Sequence, residues 1–551
     1  MPWLRPDELR IGLGCMRLDP DDSATVEAAL AAGITVFDTA RAYERSEELL
    51  ARVLRNATGV RIVTKGGMSR PNSAWVPDGR AKTIRADCEA SLAALDGLEV
   101  DLFLLHTPDP RTPWSTSVRA LARLVDDGLV ERVGICNVSR AQLDQALDLA
   151  PIAAVQVGLS VLDDRALRGG VVERCAELRV ALVAHSPLGG PRRVSRLSRH
   201  VDLLEIARAR GATEAEVALA WVLGLGEHVV AIPGARTPGA VRSAARASSL
   251  ELTRDESARI APSRPRARRA TTHGDVVLVM GVPGAGKSRV AAGYVDRGYA
   301  RLNRDERGGS LRELAGALDA ALADGAREIV LDNTYLTRAS RSYVVEAAAS
   351  HGVAARCIWV DTPLAHAQVN LVERLLERFD ALPTPEELKE ASQSVAGALT
   401  PTQQMRAFRE LEAPAEDEGF SSVDHVAFAR EPRAGTAGVL VAAAAVGALP
   451  LADVDPGVPH LVFDWRPDGA EADLAEPVAA AAGVVSGPLE AAICPHPGGP
   501  PICWCRPPLP GLALAFARRH GVDPAQSVVV GESAAHRTLA NALGARYVAA
   551  S

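Results

Sequence analysis

At 551 residues the chain exceeds what one hydrophobic core supports, so several domains are expected. Hydrophobic residues make up 47% and charged residues 23%, and a net charge of −7 gives no whole-chain case for nucleic-acid binding. No run of about 18 apolar residues occurs, "MPWLRPDELR" lacks a signal-peptide core, and the eight cysteines do not form a disulfide framework, so a cytoplasmic protein with no membrane partner is expected.

From residue 10 to about 260, short β-branched runs alternate with Ala/Leu/Arg-rich helical patterns. The runs are "RIGLG", "ITVFD", "RIVTK", "DLFLLH", "RVGIC", "AAVQV", "VALVAH" and "VVAIPG". Strands and helices in this alternation predict a (β/α)8 TIM barrel over residues 1–261, with its active site where the strands end. Four polar residues fall at or just beyond those ends: Asp38 and Tyr43 in "FDTARAY", Lys65 in "VTKGG" and His106 in "LFLLHTPDP". Hydride delivery to a carbonyl creates an alkoxide that needs a proton. A tyrosine supplies one if a lysine ammonium lowers its pKa and an aspartate holds that lysine, while a histidine orients the carbonyl oxygen.

This half, over about residues 5–255, resembles the aldo-keto reductase family. The likeness is carried by "DTARAYERSEELLARVLR", "GICN", "AVQVGLSVLD", "HSPLGG" and "IPGARTP", in the family's order. It implies Tyr43 as general acid, supported by Asp38, Lys65 and His106, acting on a small carbonyl substrate. It also implies that Asn137 and Gln156 hold the nicotinamide amide, and that Ser186, Gly234 and Arg236 line the dinucleotide phosphates. Arg236 and Arg242 favour NADP(H) over NAD(H). Three positions depart from the family's pattern. Glu44 replaces the glycine after the tyrosine, Leu159 a tyrosine that often stacks on the nicotinamide, and Ser243-Ala244 a Glu-Asn pair at the adenine.

An arginine-rich stretch, 262–274, reads as an exposed linker whose charges could also touch a polyanion. A second segment, 275–432, opens with the strand "DVVLVMG" and the pattern G-x-x-x-x-G-K-S, the mark of a P-loop NTPase with a doubly wound α/β fold. Gly281, Gly284 and Gly286 let backbone N–H groups face the phosphates of ATP, Lys287 neutralises the β/γ oxygens, and Ser288 ligates Mg²⁺. Asp305 in "YARLNRDERGG" falls at a strand end beside the loop, where a carboxylate accepts the proton of an attacking hydroxyl. The alternative is that Asp305 caps the next helix, for which Ser310 is better placed.

Residues 275–430 resemble the polynucleotide 5′-hydroxyl kinases through "GVPGAGKS", "LNRDERGG", "IVLDNTYLTRASR" and "APAEDEGFSSVDHVAF". The resemblance implies Asp305 as general base, Asp332 and Asn333 beside the acceptor, and Arg374 as a lid arginine with Arg378 one turn on. The implied acceptor is the 5′-hydroxyl of RNA or DNA ends. A kinase for nucleosides or sugars would use the same loop and base.

The third segment, 433–551, carries "CPHPGGPPICWCRPPLPG". Cys494, His496, Cys503 and Cys505, spaced C-x-H, six residues, C-x-C, make a closed tetrahedral Zn²⁺ site; the plainer reading is unliganded cysteines in a proline-rich loop. The surroundings resemble the zinc-bearing haloacid-dehalogenase (HAD) phosphatases, which implies a HAD-like Rossmannoid α/β domain. Its chemistry is missing. "VLVAAAAVG" offers alanines for the Asp-x-Asp nucleophile, Pro507 replaces the lysine, and "GESAAHR" keeps only Glu532, leaving Asp464 and Asp468 as acidic candidates. The expected protein is therefore a reductase, a kinase and a silent phosphatase-like domain in one chain. A metabolic bifunctional enzyme, or a kinase with the other domains as scaffolds, remains open.

Overall fold

The computed structural model describes residues 3–5, 7–260, 273–395, 397–430, 434–448 and 454–550. Apart from His273 and Gly274, the expected linker lies outside them. The chain divides into two compact units, Met1–Arg264 and Pro265–Ser551.

The first unit contains eight parallel strands: β1 (Gly12–Gly14), β2 (Val36–Asp38), β3 (Arg61–Gly66), β4 (Val100–Leu105), β5 (Val133–Cys136), β6 (Ile152–Gly158), β7 (Ala181–His185) and β8 (Val229–Ile232). Each pairs with the next, and the Ile11–Ala231 bridge returns β1 to β8, closing a barrel. Strand periodicity explains its two layers. Val36, Val63, Leu102, Leu104, Ala154, Val183 and Val230 form one cluster inside, together with Trp3. The alternating Phe37, Ile62, Phe103, Leu105, Val155, Leu182 and Ala231 join the larger cluster under the helices. All eight strands coincide with the runs read from sequence.

The second unit holds two five-stranded parallel sheets. One comprises β9 (Asp275–Met280), β10 (Ala300–Leu302), β11 (Glu328–Asp332), β12 (Ala354–Asp361) and β13 (Val423–Ala427), in the order β10-β11-β9-β12-β13. The other comprises β14 (Val439–Ala442), β15 (His460–Trp465), β16 (Leu489–Cys494), β17 (Val528–Gly531) and β18 (Arg546–Ala549), in the order β16-β15-β14-β17-β18. Strand order reverses at β9, which places the loop after it in the crevice where open parallel sheets bind ligands.

The segments distinguished in sequence as 275–432 and 433–551 fold within this one unit. Helix Leu364–Phe379 supplies Leu371, Val372, Leu375 and Leu376 to the same core cluster as Val441, Phe463, Trp504, Phe516 and Leu543 of the second sheet and its helices. β13, β16 and β18 were not marked as strands in sequence. All three are edge strands; β13 is largely exposed and β18 half-exposed, so their apolar pattern is weak, whereas β16 is half-buried to buried. No described helix is long and apolar enough to cross a membrane.

Candidate active sites

At the barrel mouth, β2 ends in Asp38, β3 carries Lys65 near its end, and His106 follows β4. Lys65 is fully buried; its Nζ donates to Asp38 Oδ1 and to the Thr39 carbonyl, each at 2.7 Å. Gln156 Nε2 donates to the other carboxylate oxygen, Asp38 Oδ2, at 2.7 Å. Above this buried network lies the Tyr43 ring, its centroid 4.9 Å from Lys65 Nζ and 5.6 Å from the His106 ring. Trp75 stands edge-on to both rings, at 6.2 and 5.7 Å. A cavity of 420 Å³ is lined by Asp38, Tyr43, Trp75, His106, Asn137, Gln156, His185, Ser186 and Gly234. Of the residues expected there, Lys65 lies beneath the lining and Arg236 is exposed outside it.

Burial works against a charged Lys65, but the adjacent Asp38 and Tyr43 outweigh it and hold the ammonium above its ordinary range. Burial also pushes the Tyr43 phenol up to about 12, with Lys65 pulling it down and Asp38 pushing it up. Sequence reasoning expected Lys65 to give a net lowering; in this dry pocket desolvation is the larger effect. Burial, then the charge of Lys65, lowers His106 to about 3, so it acts as a neutral imidazole, and its buried Nδ1 has no hydrogen-bond partner. Asn137 Nδ2 donates to the His106 carbonyl at 3.1 Å, and Asn137 Oδ1 accepts from His185 Nε2 at 3.0 Å. Asn137 and Ser186 both take left-handed backbone, φ 56° and 50°, the kind of strain that gathers at binding sites.

In the second unit the loop after β9 runs into helix Lys287–Val295. Gly284 and Gly286 have φ +87° and +93°, and a Cβ on Gly284 would stand 2.2 Å from the Ala367 carbonyl oxygen. Only glycine fits that approach. Lys287 Nζ folds over the loop and donates to the Val282 carbonyl at 2.9 Å. Burial, then the Arg374 guanidinium, lowers it to about 8, while Asp332 and Asp305 oppose the fall. Ser288 is exposed on the helix's first turn.

Buried Asn303 organises the neighbouring strand end. Its Oδ1 accepts from Asp305 N at 2.6 Å, and its Nδ2 donates to the Asp332 carbonyl at 2.9 Å and to the Asp332 carboxylate. Arg301 Nη2 donates to Asp332 Oδ2 at 2.7 Å. Asp332 is thus a buried organiser, whereas Asp305 is exposed, 3.7 Å from the Arg304 guanidinium. Ser310, in a capping box with Glu313, caps helix Leu311–Ala323, so Asp305 does not serve that end. Asn333 is buried, and its Nδ2 has no partner. Arg374 and Arg378 lie on the exposed face of their helix. Beside the loop a second cavity, of 350 Å³, is lined by Gly286, Arg289, Thr362, His366, Phe428 and Arg430, with His366 and Phe428 stacked at 4.4 Å.

Comparison with known proteins separates the two units. The aldo/keto reductase family model matches residues 10–263. Aldo-keto reductase str7 of Strobilurus tenacellus is 31% identical over 280 residues, 45% of this chain and 82% of that protein. Probable aldo-keto reductase 1 of Glycine max is 32% identical over 268 residues, 41% of this chain and 76% of that protein. The chain belongs to the aldo/keto reductase family. A Klebsiella pneumoniae aldo-keto reductase solved with NADPH is 28% identical, covering 47% of this chain and 93% of that chain at a TM-score of 0.41. An AAA-domain model matches residues 276–399.

Within this aldo/keto reductase unit, the cavity rings of Trp75 and His185 are not evident from sequence. Trp75 sits in the loop after β3, where a lone aromatic in "SAWVPDG" was the available signal. His185 ends β7, one residue before Ser186. Leu159, read as the replacement for a stacking tyrosine, is fully buried in the core outside the cavity lining, and the ring facing the cavity near it is His185. Glu44 has φ 47°, which explains why glycine suits the position. Ser243 donates to Glu216 Oε1 at 2.8 Å, tying two helices together.

At the end of β16 the four candidate metal ligands converge. Cys494 Sγ lies 3.5 Å from His496 Nδ1 and 3.7 Å from Cys503 Sγ; Cys505 Sγ lies 3.3 Å from Cys494 Sγ and 3.2 Å from His496 Nδ1. All four atoms fall within 4.8 Å of one another. Tetrahedral zinc with Zn–S bonds of about 2.3 Å sets its sulfurs about 3.8 Å apart, so this donor set fits the ion. β14 ends in Ala442 with no carboxylate, and Asp464 Oδ2 accepts from Arg466 at 2.8 Å.

Proposed function

We propose that the chain is a bifunctional enzyme: an NADP(H)-dependent carbonyl reductase in Met1–Arg264 and an ATP-dependent phosphotransferase in Pro265–Ser551. The observation that carries the first half is the buried chain Gln156–Asp38–Lys65 beneath Tyr43. NADPH would supply the hydride, held by Asn137, Gln156, Ser186 and Gly234 at the cavity, and the exposed Arg236, outside that lining, would be the residue to meet a 2′-phosphate. Tyr43 keeps its proton until the alkoxide develops, and Lys65 then stabilises the phenolate it leaves. Neutral His106 orients the carbonyl oxygen, and Trp75 covers the substrate.

The second half rests on Asp305 standing exposed within the charge field of Lys287 and Arg374. Lys287, Ser288 with Mg²⁺, and the loop N–H groups would hold ATP, its nucleoside in the 350 Å³ cavity. Asp305 would accept the proton of the attacking hydroxyl, and Arg374 would clamp the transferring phosphate. The acceptor is the 5′-hydroxyl of RNA or DNA ends, a polyanion whose backbone the exposed Arg374 would meet. A nucleoside or sugar kinase is the second reading, favoured by an aromatic content of only 4%, which offers few platforms for stacked bases. The Cys494–Cys505 loop would hold structural Zn²⁺ on a phosphatase-silent sheet. The deciding experiment offers [γ-³²P]ATP and Mg²⁺ with 5′-hydroxyl oligonucleotides, nucleosides and sugars. Label on oligonucleotides supports the first reading, and label on nucleosides or sugars alone overturns it.

A further inference from the structure

The phosphate loop is held by its carbonyls as well as by its glycines. Gln404 Nε2 donates to the Pro283 carbonyl, Asn370 Nδ2 to that of Gly284, and Thr362 Oγ1 to that of Ala285, each at 2.9 Å. Consecutive carbonyls turned onto side-chain donors leave the loop's N–H groups free to face anionic oxygens. Thr362 and Asn370 come from the segment that follows β12. Gln404 has another origin. It is fully buried on helix Pro401–Glu410, and its Oε1 has no hydrogen-bond partner.

That helix is fastened on its other side to the four-ligand loop. Thr402 Oγ1 donates to the Pro501 carbonyl at 2.9 Å, and Trp504 Nε1 to the Leu399 carbonyl at 2.9 Å, just before the helix. Trp504 is buried between Cys503 and Cys505 in sequence, so ordering those thiolates orders its ring. A continuous set of contacts therefore runs from the ligand cluster through Trp504 and Thr402 to Gln404, and from Gln404 to the backbone of the phosphate loop.

We propose that the Cys494–His496–Cys503–Cys505 loop braces the phosphate loop through helix Pro401–Glu410, so that zinc occupancy sets the affinity for ATP. The inference rests on the reading of residues 281–288 as a nucleotide site and adds what controls that site. It gives the second sheet a task that needs no nucleophile: four protein ligands order a short irregular loop, and that order passes to a helix the nucleotide site depends on. Trp504, Thr402 and Gln404 are positioning residues, each acting through one hydrogen bond.

The test uses the full chain, with zinc content measured throughout. A fluorescent ATP analogue is titrated into zinc-loaded protein, chelator-stripped protein, and the variants Thr402→Val, Trp504→Phe and Gln404→Leu. Hydrogen exchange is followed at the amides of 282–287 and 401–410. Stripping zinc is expected to weaken binding about tenfold and to speed exchange in both segments, with zinc restoring both. Each variant, still zinc-replete, is expected to weaken binding about fivefold, the worth of one hydrogen bond. Gln404→Leu should also make binding less sensitive to zinc. Folded, zinc-replete Thr402→Val and Trp504→Phe proteins with wild-type binding and exchange would overturn the proposal, even if stripping unfolds the second sheet. If zinc-loaded wild type binds no ATP, the nucleotide reading falls, and exchange at 282–287 still decides the brace.

Discussion

Tyr43 sits where its phenolate is costly, and that cost shapes the expected pH behaviour of the reductase. A phenol raised to about 12 stays protonated up to strongly alkaline pH, so the acid form is present wherever pH lies below that value. His106, lowered to about 3, is neutral above that and adds no inflection. The rate of carbonyl reduction should therefore be flat from about pH 5 to 9 as far as these groups govern it. A loss of activity centred near 6.5 that vanished in a His106→Gln variant would show a histidine titrating where this pocket forbids it. Tyr43→Phe should cut reduction by about 10²–10⁴-fold while leaving NADPH binding intact, measured by NADPH oxidation and by fluorescence titration. Asp38, Lys65 and His106 were legible because each is a polar residue at or just past the end of an apolar run, and Tyr43 because it follows Asp38 in "FDTARAY". Trp75 and His185 were not, since one lies in an irregular loop and the other is a single ring at the end of a strand, beside Ser186. The net rise at Tyr43 was also hidden, because a sequence shows which charges are near but not how dry the site is.

Elements carry the next layer of expectations. The loop after β9 was legible because its glycines answer a local backbone demand. Gly284→Ala should lose nucleotide binding, since the new Cβ meets the Ala367 carbonyl oxygen at 2.2 Å and φ is +87°; equilibrium titration with an ATP analogue would detect it. The segment carrying Glu412 and Glu418 was read from sequence for its motif alone. Arg341, fully buried, donates to Glu418 Oε2 and Oε1 at 2.7 and 2.6 Å and to the Glu412 carbonyl at 2.9 Å, pinning that segment to helix Arg338–Ser350. Glu418→Ala would leave a buried guanidinium without its counter-ion, and urea unfolding of the second unit should show a loss of about 3–5 kcal/mol. Edge strands β13 and β18 stayed hidden for the opposite reason: open to solvent on one side, they need little apolar sequence.

On the scale of the whole molecule, the reductase residues all lie in Met1–Arg264 and the phosphate-loop residues all lie in Pro265–Ser551. A fragment ending at residue 264 should fold and keep full NADPH-dependent activity. A fragment ending at residue 432 should not yield a soluble second unit, because helix Leu364–Phe379 would lose the apolar partners it shares with the second sheet. That shared core could not be read from sequence. The helix pattern shows an apolar face but not which of two sheets covers it. If one chain holds two independent chemistries, each single substitution abolishes one and spares the other when wild type, Tyr43→Phe and Asp305→Ala are all assayed for both. NADPH oxidation with an aldehyde panel should fail only in Tyr43→Phe, and transfer of label from [γ-³²P]ATP to 5′-hydroxyl oligonucleotides should fail only in Asp305→Ala. Wild type lacking either activity, or either variant keeping the activity assigned to its residue, would show that the chain does not hold two independent chemistries.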